Sequence, residues 1–406
     1  MKASPQSYID KELNFGAHNY SSLPVVLTSA VGSTLRDVQG AEYIDMMSAY
    51  SAASLGHAHP KILQTLVSQA SSLAVTSRAF FNDKLPLLLE KLCFITSLDK
   101  AIVMNSGAEA VETALKFARK WGEMKKKIKK NKCEIIVCRN NFHGRTIGII
   151  SFSSQSQYKK NFGPFLPGFK EVEFGSIESL EKAITKNTCA FLVEPIQGEA
   201  GIITPSAQYL AKVRQLCTKH NVLLICDEIQ TGLSRTGKLF CYEHSLIQPD
   251  LLILGKALGG GVYPVSAVVG RAEVMDLIKP GDHGSTFGGN ALASAIALSS
   301  IELLSDPELI KRVEHLGKWS MQYLQRVLSP HLISGQVREV RGRGLFIAVE
   351  LNFKAGDVVK EMINGGVLTK DTHENTIRLA PALTITQQEL KRAYNCLASS
   401  IAKCSV

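Results

Sequence analysis

The chain has 406 residues, of which 45% are hydrophobic, and it contains 31 glycines and 14 prolines. This composition excludes a disordered or fibrous chain and is typical of a globular enzyme, while the length predicts two domains or one large domain with appendages. The formal charge of +10 does not indicate a nucleic-acid-binding protein, because six lysines lie in one stretch, EMKKKIKKNK at 123–132, and no nucleic-acid motif accompanies them. We expect that stretch to be a solvated connection between a helix and a strand.

The N-terminal segment, MKASPQSYIDKELNFGAHNY, carries acidic residues and has no apolar core of the kind found in signal peptides. No apolar stretch in the chain reaches the roughly 18 residues that a membrane span needs. The nine cysteines have no C-x-x-C spacing, and several, such as Cys133 and Cys226, lie inside apolar runs, which favours buried, reduced thiols over disulfides or zinc. We therefore expect a cytoplasmic protein with no leader peptide, no membrane contact and no metal.

From about residue 100 to 270, short apolar runs rich in β-branched residues alternate with longer helical stretches. Continuous apolar runs of this kind predict an α/β fold, in which helices cover both faces of a mostly parallel sheet. Several runs end in polar or glycine-rich segments, and ligands bind at the carboxyl ends of strands in such sheets. The runs are AIVM from 101, IIVC from 135, AFLVEP from 190, VLLICDE from 222, LLILG from 251 and VSAVVG from 265.

A different pattern follows Gly289. A long helical stretch at 290–304 and a second one near 306–328 precede shorter elements, VREVRGRGLFIAVEL, GVLTKD and TIRLAP. This order predicts a smaller α+β domain. We therefore predict an N-terminal arm over 1–45 that packs on the small domain, a large ligand-binding domain over 46–300, and a small C-terminal domain over 301–406.

One segment resembles a nucleotide-binding loop. GLSRTGKL at 232–239 nearly matches the phosphate loop G-x-x-x-x-G-K-[ST], and it follows a predicted strand. Its last position is Leu239, where the loop needs a hydroxyl group that binds magnesium. The segment therefore does not indicate a nucleotide site.

Lys256 lies at the end of an apolar run, between Gly255 and the glycines at 259–261. A lysine there could form an imine with a carbonyl cofactor, bind a phosphate, or lie on the surface, and partial loss of water would make its amine nucleophilic. Asp227 ends the apolar run VLLICDE, which we place next to the lysine strand. A carboxylate there suits the protonated pyridine nitrogen of pyridoxal phosphate. Asp227 and Glu228 could instead bind a metal or cap a helix, but neither role would explain Lys256.

A phosphate-binding site is predicted at the start of NSGAEAVETALKFARKW, residues 105–121. Ser106 and Glu109 have the spacing of a capping box, which marks the first turn of a helix. Small residues in that turn leave backbone N–H groups open to an anion. Caps of this kind are common, so the motif alone does not establish a phosphate-binding site. Its position after a strand of the same predicted sheet is what supports the prediction.

The segment from Asp227 to Gly261, with its lysine block LGKALGGGVYPVSAV, resembles the class III (subgroup II) pyridoxal-phosphate-dependent aminotransferases of fold type I. The resemblance runs almost from end to end of the chain. It implies that fold, an aminotransferase activity and pyridoxal phosphate as the cofactor. Further matching segments are HNYSSLPVVL from 18, YSAASLGHAHPKI from 50, TSRAF from 76, NSGAEA from 105, FHGRT from 142, EPIQGEAG from 194, GSTFGGN from 284, RGRGL from 341 and IRLAP from 377.

The resemblance assigns roles around the cofactor. Lys256 would bond covalently to it and later move a proton at the substrate carbon, and Asp227 would pair with the ring nitrogen. Gln230 would lie near the phenolic oxygen, and Phe142 and Ile229 would contact the two ring faces, although core packing explains these two residues equally well.

The same resemblance implies a shared phosphate site. Ser106, Gly107 and Ala108 would bind the phosphate group, joined by Thr286 from the neighbouring subunit. We therefore expect a homodimer in which each active site contains residues of both subunits.

Within the class, the sequence is most similar to enzymes that move the δ-amino group of L-ornithine to 2-oxoglutarate, giving glutamate 5-semialdehyde and glutamate. By that similarity Arg145 binds the carboxylate far from the cofactor and Arg378 binds the near one, each through a planar, two-pronged guanidinium. Glu199 would pair with Arg378 while ornithine is bound, and Tyr20, with Tyr50 nearby, would bind the amino-acid end of ornithine. The plainer alternatives are that Glu199 and Arg378 form a static ion pair and that Tyr20 anchors the N-terminal arm.

One residue departs from the animal ornithine enzymes, which have FWGRT where this chain has FHGRT with His143. Bacterial ornithine and acetylornithine enzymes both use histidine there, so this position does not separate them. An N-acetylornithine or 4-aminobutyrate aminotransferase stays open as an alternative, as does an aminomutase on the same fold. A binding module without catalysis would leave the presence of both Lys256 and Asp227 unexplained.

Overall fold

The structure of the protein, a computed structural model, describes residues 4–404. Residues 1–3 of the predicted arm and 405–406 of the predicted C-terminal domain lie outside the described residues. Numbered in chain order, the strands are β1 Leu27–Val31, β2 Thr34–Asp37, β3 Glu42–Asp45, β4 Lys100–Met104, β5 Glu134–Cys138, β6 Phe169–Val172, β7 Thr188–Val193, β8 Leu223–Asp227, β9 Leu251–Leu254, β10 Ser266–Gly270, β11 Val337–Arg343, β12 Phe346–Leu351, β13 Val367–Leu368, β14 Asp371–Thr372 and β15 Thr376–Leu379.

The helical segments include the three helices predicted from 105, from 290 and near 306. Within residues 4–404, no helix is both long enough and apolar enough to cross a membrane. The segments are α1 Pro5–Phe15, α2 Ser48–Ser51, α3 Pro60–Ser72, α4 Leu85–Thr96, α5 Gly107–Met124, α6 Ile147–Ile150, α7 Ser156–Lys159, α8 Ile177–Ala183, α9 Tyr209–Lys219, α10 Ala272–Met275, α11 Ala291–Leu304, α12 Pro307–Val327, α13 Ser329–Ile333, α14 Gly356–Asn364 and α15 Gln387–Cys404, with 3₁₀ turns at Cys241–Ser245 and Lys256–Gly259.

The central sheet has seven strands in the order β4-β10-β9-β8-β7-β5-β6. Strands β9, β8, β7, β5 and β6 run parallel, while β10 is antiparallel to both of its neighbours. The predicted mostly parallel α/β sheet is therefore confirmed, and the short strand β6 is an addition that the sequence did not indicate. Asp227 pairs with Ile253 across β8 and β9, so the aspartate strand lies next to the strand that leads to Lys256, as predicted.

Both faces of this sheet are buried, which explains why its strands are continuous apolar runs. In β5, Ile135 and Val137 pack in one hydrophobic cluster with residues of α5. The alternate residues Ile136 and Cys138 pack in a second cluster with residues of α4, α9 and α11. Because successive side chains of a strand point to opposite faces, an apolar residue is needed at every position.

Two smaller sheets flank the central one. Strands β1, β2 and β3 form a sheet with β13, in which Ile44 of β3 pairs with Val367 near the other end of the chain. Strands β11, β12, β15 and β14 form an antiparallel sheet. The predicted boundary after residue 300 falls inside α11, whose side chains Ile301 and Leu304 are buried in the main core. The division into an arm and two domains therefore stays a prediction.

The lysine-rich stretch at 123–132 is mostly exposed, but the expectation of a solvated connection is wrong for Lys126. This side chain is half-buried, and its Nζ donates to three backbone carbonyls, those of Thr188 at 2.8 Å, His220 at 2.8 Å and Asn221 at 2.7 Å. Carbonyl groups at the end of a helix lack partners within the helix and attract a cation. Lys126 therefore ties α5 to the end of α9 and the start of β7.

The segment at 232–239, which resembles a phosphate loop, connects distant parts of the chain through buried hydrogen bonds. Arg235 is fully buried, and its guanidinium donates to the carbonyls of Leu345 and Pro381 and, at 2.8 Å, to Ser54 Oγ. Ser234 donates to the carbonyl of Leu304. Burial lowers the pKa of Arg235 to about 9. The arginine thus holds together segments from the start, middle and end of the chain.

Replacing this arginine by alanine should destabilise the protein strongly. Arg235→Ala leaves buried acceptors without donors, so we expect the free energy of unfolding to fall by about 2–4 kcal/mol. Urea unfolding followed by circular dichroism measures this change. The matched control is Lys238→Ala, an exposed cation three residues away, which should change stability by no more than about 0.5 kcal/mol. Equal stability of the two variants would contradict the structural role.

Candidate active site

Many of the predicted site residues meet at the carboxyl ends of β8 and β9. A cavity of about 150 Å³ opens there. Its lining includes Lys256, Asp227, Gly107, Ala108, Phe142, Ile229, Gln230 and Glu199. Ser106 lines an adjoining opening together with Gly107 and Lys256.

Lys256 is separated from β9 by Gly255 and is held in an unusual backbone conformation. Its φ is +44°, in the left-handed region that side chains other than glycine rarely adopt. Loss of water around its ammonium group lowers the pKa of Lys256 to about 8, although the negative charge of Glu199 opposes this shift. A substantial fraction of the amine is therefore uncharged and nucleophilic slightly above neutral pH.

Asp227 lies in a network of buried ionisable groups. Its Oδ2 is 2.6 Å from Nδ1 of His143, and its Oδ1 accepts the backbone N–H of Ile229 at 3.0 Å. Burial disfavours a charge on His143, but the hydrogen bond and charge of Asp227, with Glu194 nearby, outweigh it and raise the pKa of the histidine. A carboxylate has about four lone-pair sites, so Asp227 can still accept a hydrogen bond from a ring N–H in the cavity.

Glu194 follows β7 and lies beside this pair. It accepts the backbone N–H groups of Phe142 at 2.9 Å and Gly198 at 3.3 Å. Burial raises the pKa of Glu194 to about 7. Glu194 therefore anchors the two loops that frame the cavity.

The predicted phosphate site is built on the first turn of α5. Ser106 Oγ accepts the N–H of Glu109 at 3.2 Å, and Glu109 Oε2 accepts the N–H of Ser106 at 2.7 Å, which confirms the capping box. The N–H groups of Gly107 and Ala108 lie in this first turn, where they have no acceptor within the helix and favour an anion. A Cβ on Gly107 would lie 3.0 Å from Ile229 Cδ1, so a larger residue would crowd the cavity.

Thr286 lies elsewhere in the chain. It lines an open cleft of about 790 Å³ that also contains Arg78, Val103 and His283. Thr286 does not line the cavity that contains Lys256, and its role across a subunit interface stays a prediction.

Arg378 and Glu199 form the ion pair that the resemblance implied. The guanidinium of Arg378 is 2.8 Å from Glu199 Oε1, and its side chain is only 2% exposed. Burial alone would raise the pKa of Glu199, but the charge and hydrogen bond of Arg378 lower it to about 2. Gln230 also donates to Glu199, at 3.3 Å. Glu199 is therefore charged at neutral pH, and it lines the same cavity as Lys256.

Tyr50 belongs to a strained turn beside this pair. Residues Ser48–Ser51 all have positive φ, at 44°, 47°, 59° and 74°, so α2 is a left-handed turn. Such a conformation costs roughly 1–2 kcal/mol per residue and occurs mostly at functional sites. The turn places the Tyr50 ring 5.2 Å from the guanidinium carbon of Arg378. Burial, and then the charge of Glu199, raise the pKa of Tyr50.

The residues predicted to bind the far end of the substrate lie at the mouth of the site. Tyr20 is 78% exposed, and it lies close enough to Tyr50 to act on its ionisation. Arg145 is exposed and its guanidinium carbon lies 4.0 Å from the centroid of the Tyr158 ring. Their roles in substrate binding stay predictions.

Three residues of the site were not assigned from the sequence: His143 as the partner of Asp227, Glu194 as an anchor of the loops, and Tyr158 beneath Arg145. The segments FHGRT and EPIQGE did signal that strand ends carry polar groups. Their pairing was not visible, because His143 and Asp227 are 84 residues apart in the chain.

A lysine and a carboxylate at neighbouring strand ends, with an anion site at a helix N-terminus, are the arrangement expected of a pyridoxal-phosphate-dependent transferase. The profile of the family "Aminotransferase class-III" matches residues 15–401. The chain belongs to the class III aminotransferases.

Ornithine and acetylornithine aminotransferases are among the individual proteins to which the chain is similar. The ornithine aminotransferase of Brevibacillus brevis is 48% identical over 387 residues, which cover 95% of this chain and 96% of that protein. The ornithine aminotransferase from Toxoplasma gondii, whose crystals show partial occupancy of PLP at the active site, superposes with a TM-score of 0.97 at 41% identity and covers 99% of this chain and 95% of that one. The acetylornithine aminotransferase from Elizabethkingia anophelis has a TM-score of 0.89 at 43% identity. The match covers 99% of this chain and 100% of that one.

The residues present fit pyridoxal phosphate as the cofactor. Asp227 has free acceptor capacity for the ring nitrogen, the turn at Ser106–Ala108 offers N–H groups to a phosphate, and Lys256 offers a nucleophilic amine. Apolar side chains of Phe142 and Ile229 line the cavity between these groups.

We expect His143 to control how tightly the cofactor binds. His143→Phe removes the hydrogen bond that orients Asp227, and a hydrogen bond to a charged group contributes about 1.5–3 kcal/mol, so cofactor affinity should fall about tenfold or more. Titration of the cofactor-free protein, followed by fluorescence, gives the dissociation constant. His143→Asn, which can place an amide donor near the position of Nδ1, is the matched control and should bind close to the wild-type value. Unchanged affinity in His143→Phe would show that Asp227 does not need this partner.

Proposed function

We propose that the chain is an ornithine δ-aminotransferase that moves the δ-amino group of L-ornithine to 2-oxoglutarate and gives glutamate 5-semialdehyde and glutamate. The observation that carries the proposal is the ion pair between buried Arg378 and Glu199, which lines the same cavity as Lys256. The names of relatives that are almost half identical over nearly the whole chain support the choice of ornithine.

Lys256 supplies the reactive amine of the site. Bound pyridoxal phosphate supplies an electron-withdrawing ring that stabilises negative charge on the substrate carbon. The lowered pKa of Lys256 leaves its Nζ free to accept the proton that this carbon loses. Asp227, hydrogen-bonded to His143, would pair with the ring nitrogen of the bound cofactor.

The Arg378–Glu199 pair lets one site accept two substrates of different shape. With the δ-amine of ornithine at Lys256, no substrate carboxylate lies near Arg378, and an unpaired buried cation costs about 3–5 kcal/mol. Glu199 removes this cost by pairing with Arg378. With 2-oxoglutarate, the substrate carboxylate takes that place and Glu199 must move away. The side chain of Glu199 is 28% exposed, so it has a path toward solvent.

The far end of either substrate would reach Arg145 and Tyr20 at the mouth of the site. Both side chains are exposed and therefore free to bind a carboxylate or an amino group. Arginine suits the carboxylates of both substrates because its planar guanidinium makes two parallel charge-assisted hydrogen bonds.

An N-acetylornithine or 4-aminobutyrate aminotransferase is the nearest alternative, and an aminomutase is the alternative of a different reaction class. Half-reactions separate all of them. Ornithine alone should bleach the visible absorption of the cofactor-loaded protein, and 2-oxoglutarate should restore it, whereas an aminomutase needs no external oxo acid. The proposal fails if N-acetylornithine or 4-aminobutyrate bleaches the band and ornithine does not. Lys256→Ala is the control, since it should lack the wild-type band and lose turnover by orders of magnitude.

Tyr20 offers a test of the substrate assignment. Tyr20→Phe removes a hydroxyl that would bind the charged amino-acid end of ornithine, so we expect KM for ornithine to rise about tenfold with little change in kcat. Tyr8→Phe, another exposed tyrosine of the N-terminal segment, is the matched control and should behave as the wild type. Ornithine kinetics that are the same in the Tyr20 and Tyr8 variants would remove Tyr20 from the site.

We also propose that the protein is a homodimer with shared active sites. Exposed aromatic residues support this: Phe81, four residues before α4, is 95% exposed, and Phe94, near the end of α4, is 77% exposed. Large apolar side chains in solvent are unfavourable and typically mark protein contacts. The cleft that contains Thr286 is also lined by α4 residues Leu85 and Leu89, so a contact there would carry Thr286 toward a second subunit.

Hybrid dimers test this arrangement. In a hybrid of Lys256→Ala and Thr286→Ala subunits, sharing across the interface creates one site with both native residues and one with neither. The intact site should bind the cofactor with wild-type affinity, measured as activity at limiting cofactor concentration. If Thr286 acted within its own chain, every site with Lys256 would keep the weakened affinity of the Thr286→Ala homodimer.

A cytoplasmic location stays part of the proposal. All nine cysteines are free, and most are buried. Free thiols of this kind fit a reducing compartment.

A further inference from the structure

Arg145 at the mouth of the site rests on an aromatic ring. Its guanidinium carbon lies 4.0 Å from the centroid of the Tyr158 ring and 5.8 Å from that of Phe142. The two rings meet edge to face, with centroids 6.3 Å apart and planes at 79°. A continuous path of contacts therefore runs from Phe142 in the cavity, through Tyr158, to the exposed arginine.

The stacking contact is what orients this arginine. Within residues 4–404, the guanidinium of Arg145 makes no hydrogen bond and no ion pair, whereas Arg378 is paired with Glu199. A planar guanidinium stacks well on an aromatic face, and stacking leaves its N–H groups free to point outward. Arg145 thus keeps its N–H groups for a ligand while its plane is held by Tyr158.

Tyr158 has the surroundings expected of a support. It lies on the short helix α7, is half-buried, and lines a polar pocket of about 180 Å³ together with Phe142, Glu199 and Thr372. This pocket shares Phe142 and Glu199 with the cavity of Lys256, so it is the outer part of the same site. The ring is thereby held between the cavity and the arginine.

We propose that Tyr158 is a positioning residue that presents the guanidinium of Arg145 to the far-end carboxylate of substrates. The inference rests on the proposed function only in that Arg145 binds this carboxylate. A long, flexible arginine side chain loses much rotational freedom when it binds a ligand, and the ring removes part of that loss in advance. Removing the ring should therefore weaken binding of a far-end carboxylate and leave the chemistry at Lys256 unchanged.

Binding of unreactive acids tests the idea in the cofactor-loaded protein. Glutarate has carboxylates at both ends and should contact Arg145 and Arg378, whereas butyrate has only one and needs no far-end arginine. Tyr158→Ala should weaken glutarate binding about tenfold, measured by calorimetry, and leave butyrate binding and the visible absorption unchanged. Tyr158→Phe keeps the ring and should restore glutarate affinity.

Arg145→Ala completes a double-mutant cycle. Because the ring acts through the arginine, Tyr158→Ala should cause no further loss of glutarate affinity in the Arg145→Ala background. Additive losses, equal losses in the Ala and Phe variants of Tyr158, or a parallel loss of butyrate binding would each overturn the proposal. Thermal unfolding of each variant identifies a misfolded protein, and in that case Arg145→Lys, which lacks the planar face, should reproduce the loss.

Ornithine kinetics then separate this inference from the proposed function. Tyr158→Ala should raise KM for ornithine about tenfold and leave kcat within about twofold. A wild-type protein that does not turn over ornithine would refute the proposed function, while the glutarate measurements would still decide the role of Tyr158. A fall in kcat without a change in KM would instead assign Tyr158 to the support of Phe142 and overturn the positioning role.

Discussion

The parallel pairing of β8 with β9 is the constraint on which the site depends. It places Asp227 opposite Ile253, three residues before Lys256, so the carboxylate and the amine emerge from the same edge of the sheet. Both strands are buried on both faces and therefore contain only apolar residues before this edge. The first charged side chains therefore stand at or just after the carboxyl end of each strand, where loss of water makes the lysine amine more nucleophilic.

The ionisable groups around the cavity are paired in a way that leaves one of them free. Arg378 is paired with Glu199, and His143 is paired with Asp227. Within the described part of the chain, Lys256 has no hydrogen-bond or ion-pair partner, so its amine keeps the lowered pKa that reactivity needs. Since a buried charge is tolerated when it is paired, the surrounding pairs allow a reactive amine to exist in a stable fold.

Backbone strain occurs at two places in this site. Lys256 and the turn that carries Tyr50 both have positive φ in residues other than glycine. Such conformations persist only where the surrounding packing leaves no alternative. Gly261 supplies part of this packing, since a Cβ there would lie 3.2 Å from Cα of Ala53, just after the strained turn. Close contact between the glycine-rich loop and the turn thus helps to hold both in the site.

The sequence alone determined the class of fold, the strands of the central sheet apart from β6, the capped start of α5, and the chemistry expected of Lys256 and Asp227. These features are local, because burial on both faces of a strand and the first turn of a helix each leave a pattern within a few residues. The sequence did not predict the left-handed turn of Ser48–Ser51, which contains no glycine. It also did not predict the contacts of Lys126 and Arg235 with backbone carbonyls.

Only the tertiary structure decided which distant residues meet. His143 and Asp227 are 84 residues apart, and the pair of Arg378 and Glu199, which are 179 residues apart, was indicated only by the resemblance to a known family. Their contacts depend on the order and register of the strands and on the packing of loops at one sheet edge, none of which leaves a periodic pattern in the chain. The amino-acid sequence therefore specified the kinds of chemical group that the site contains, and the long-range pairing of strands specified their arrangement.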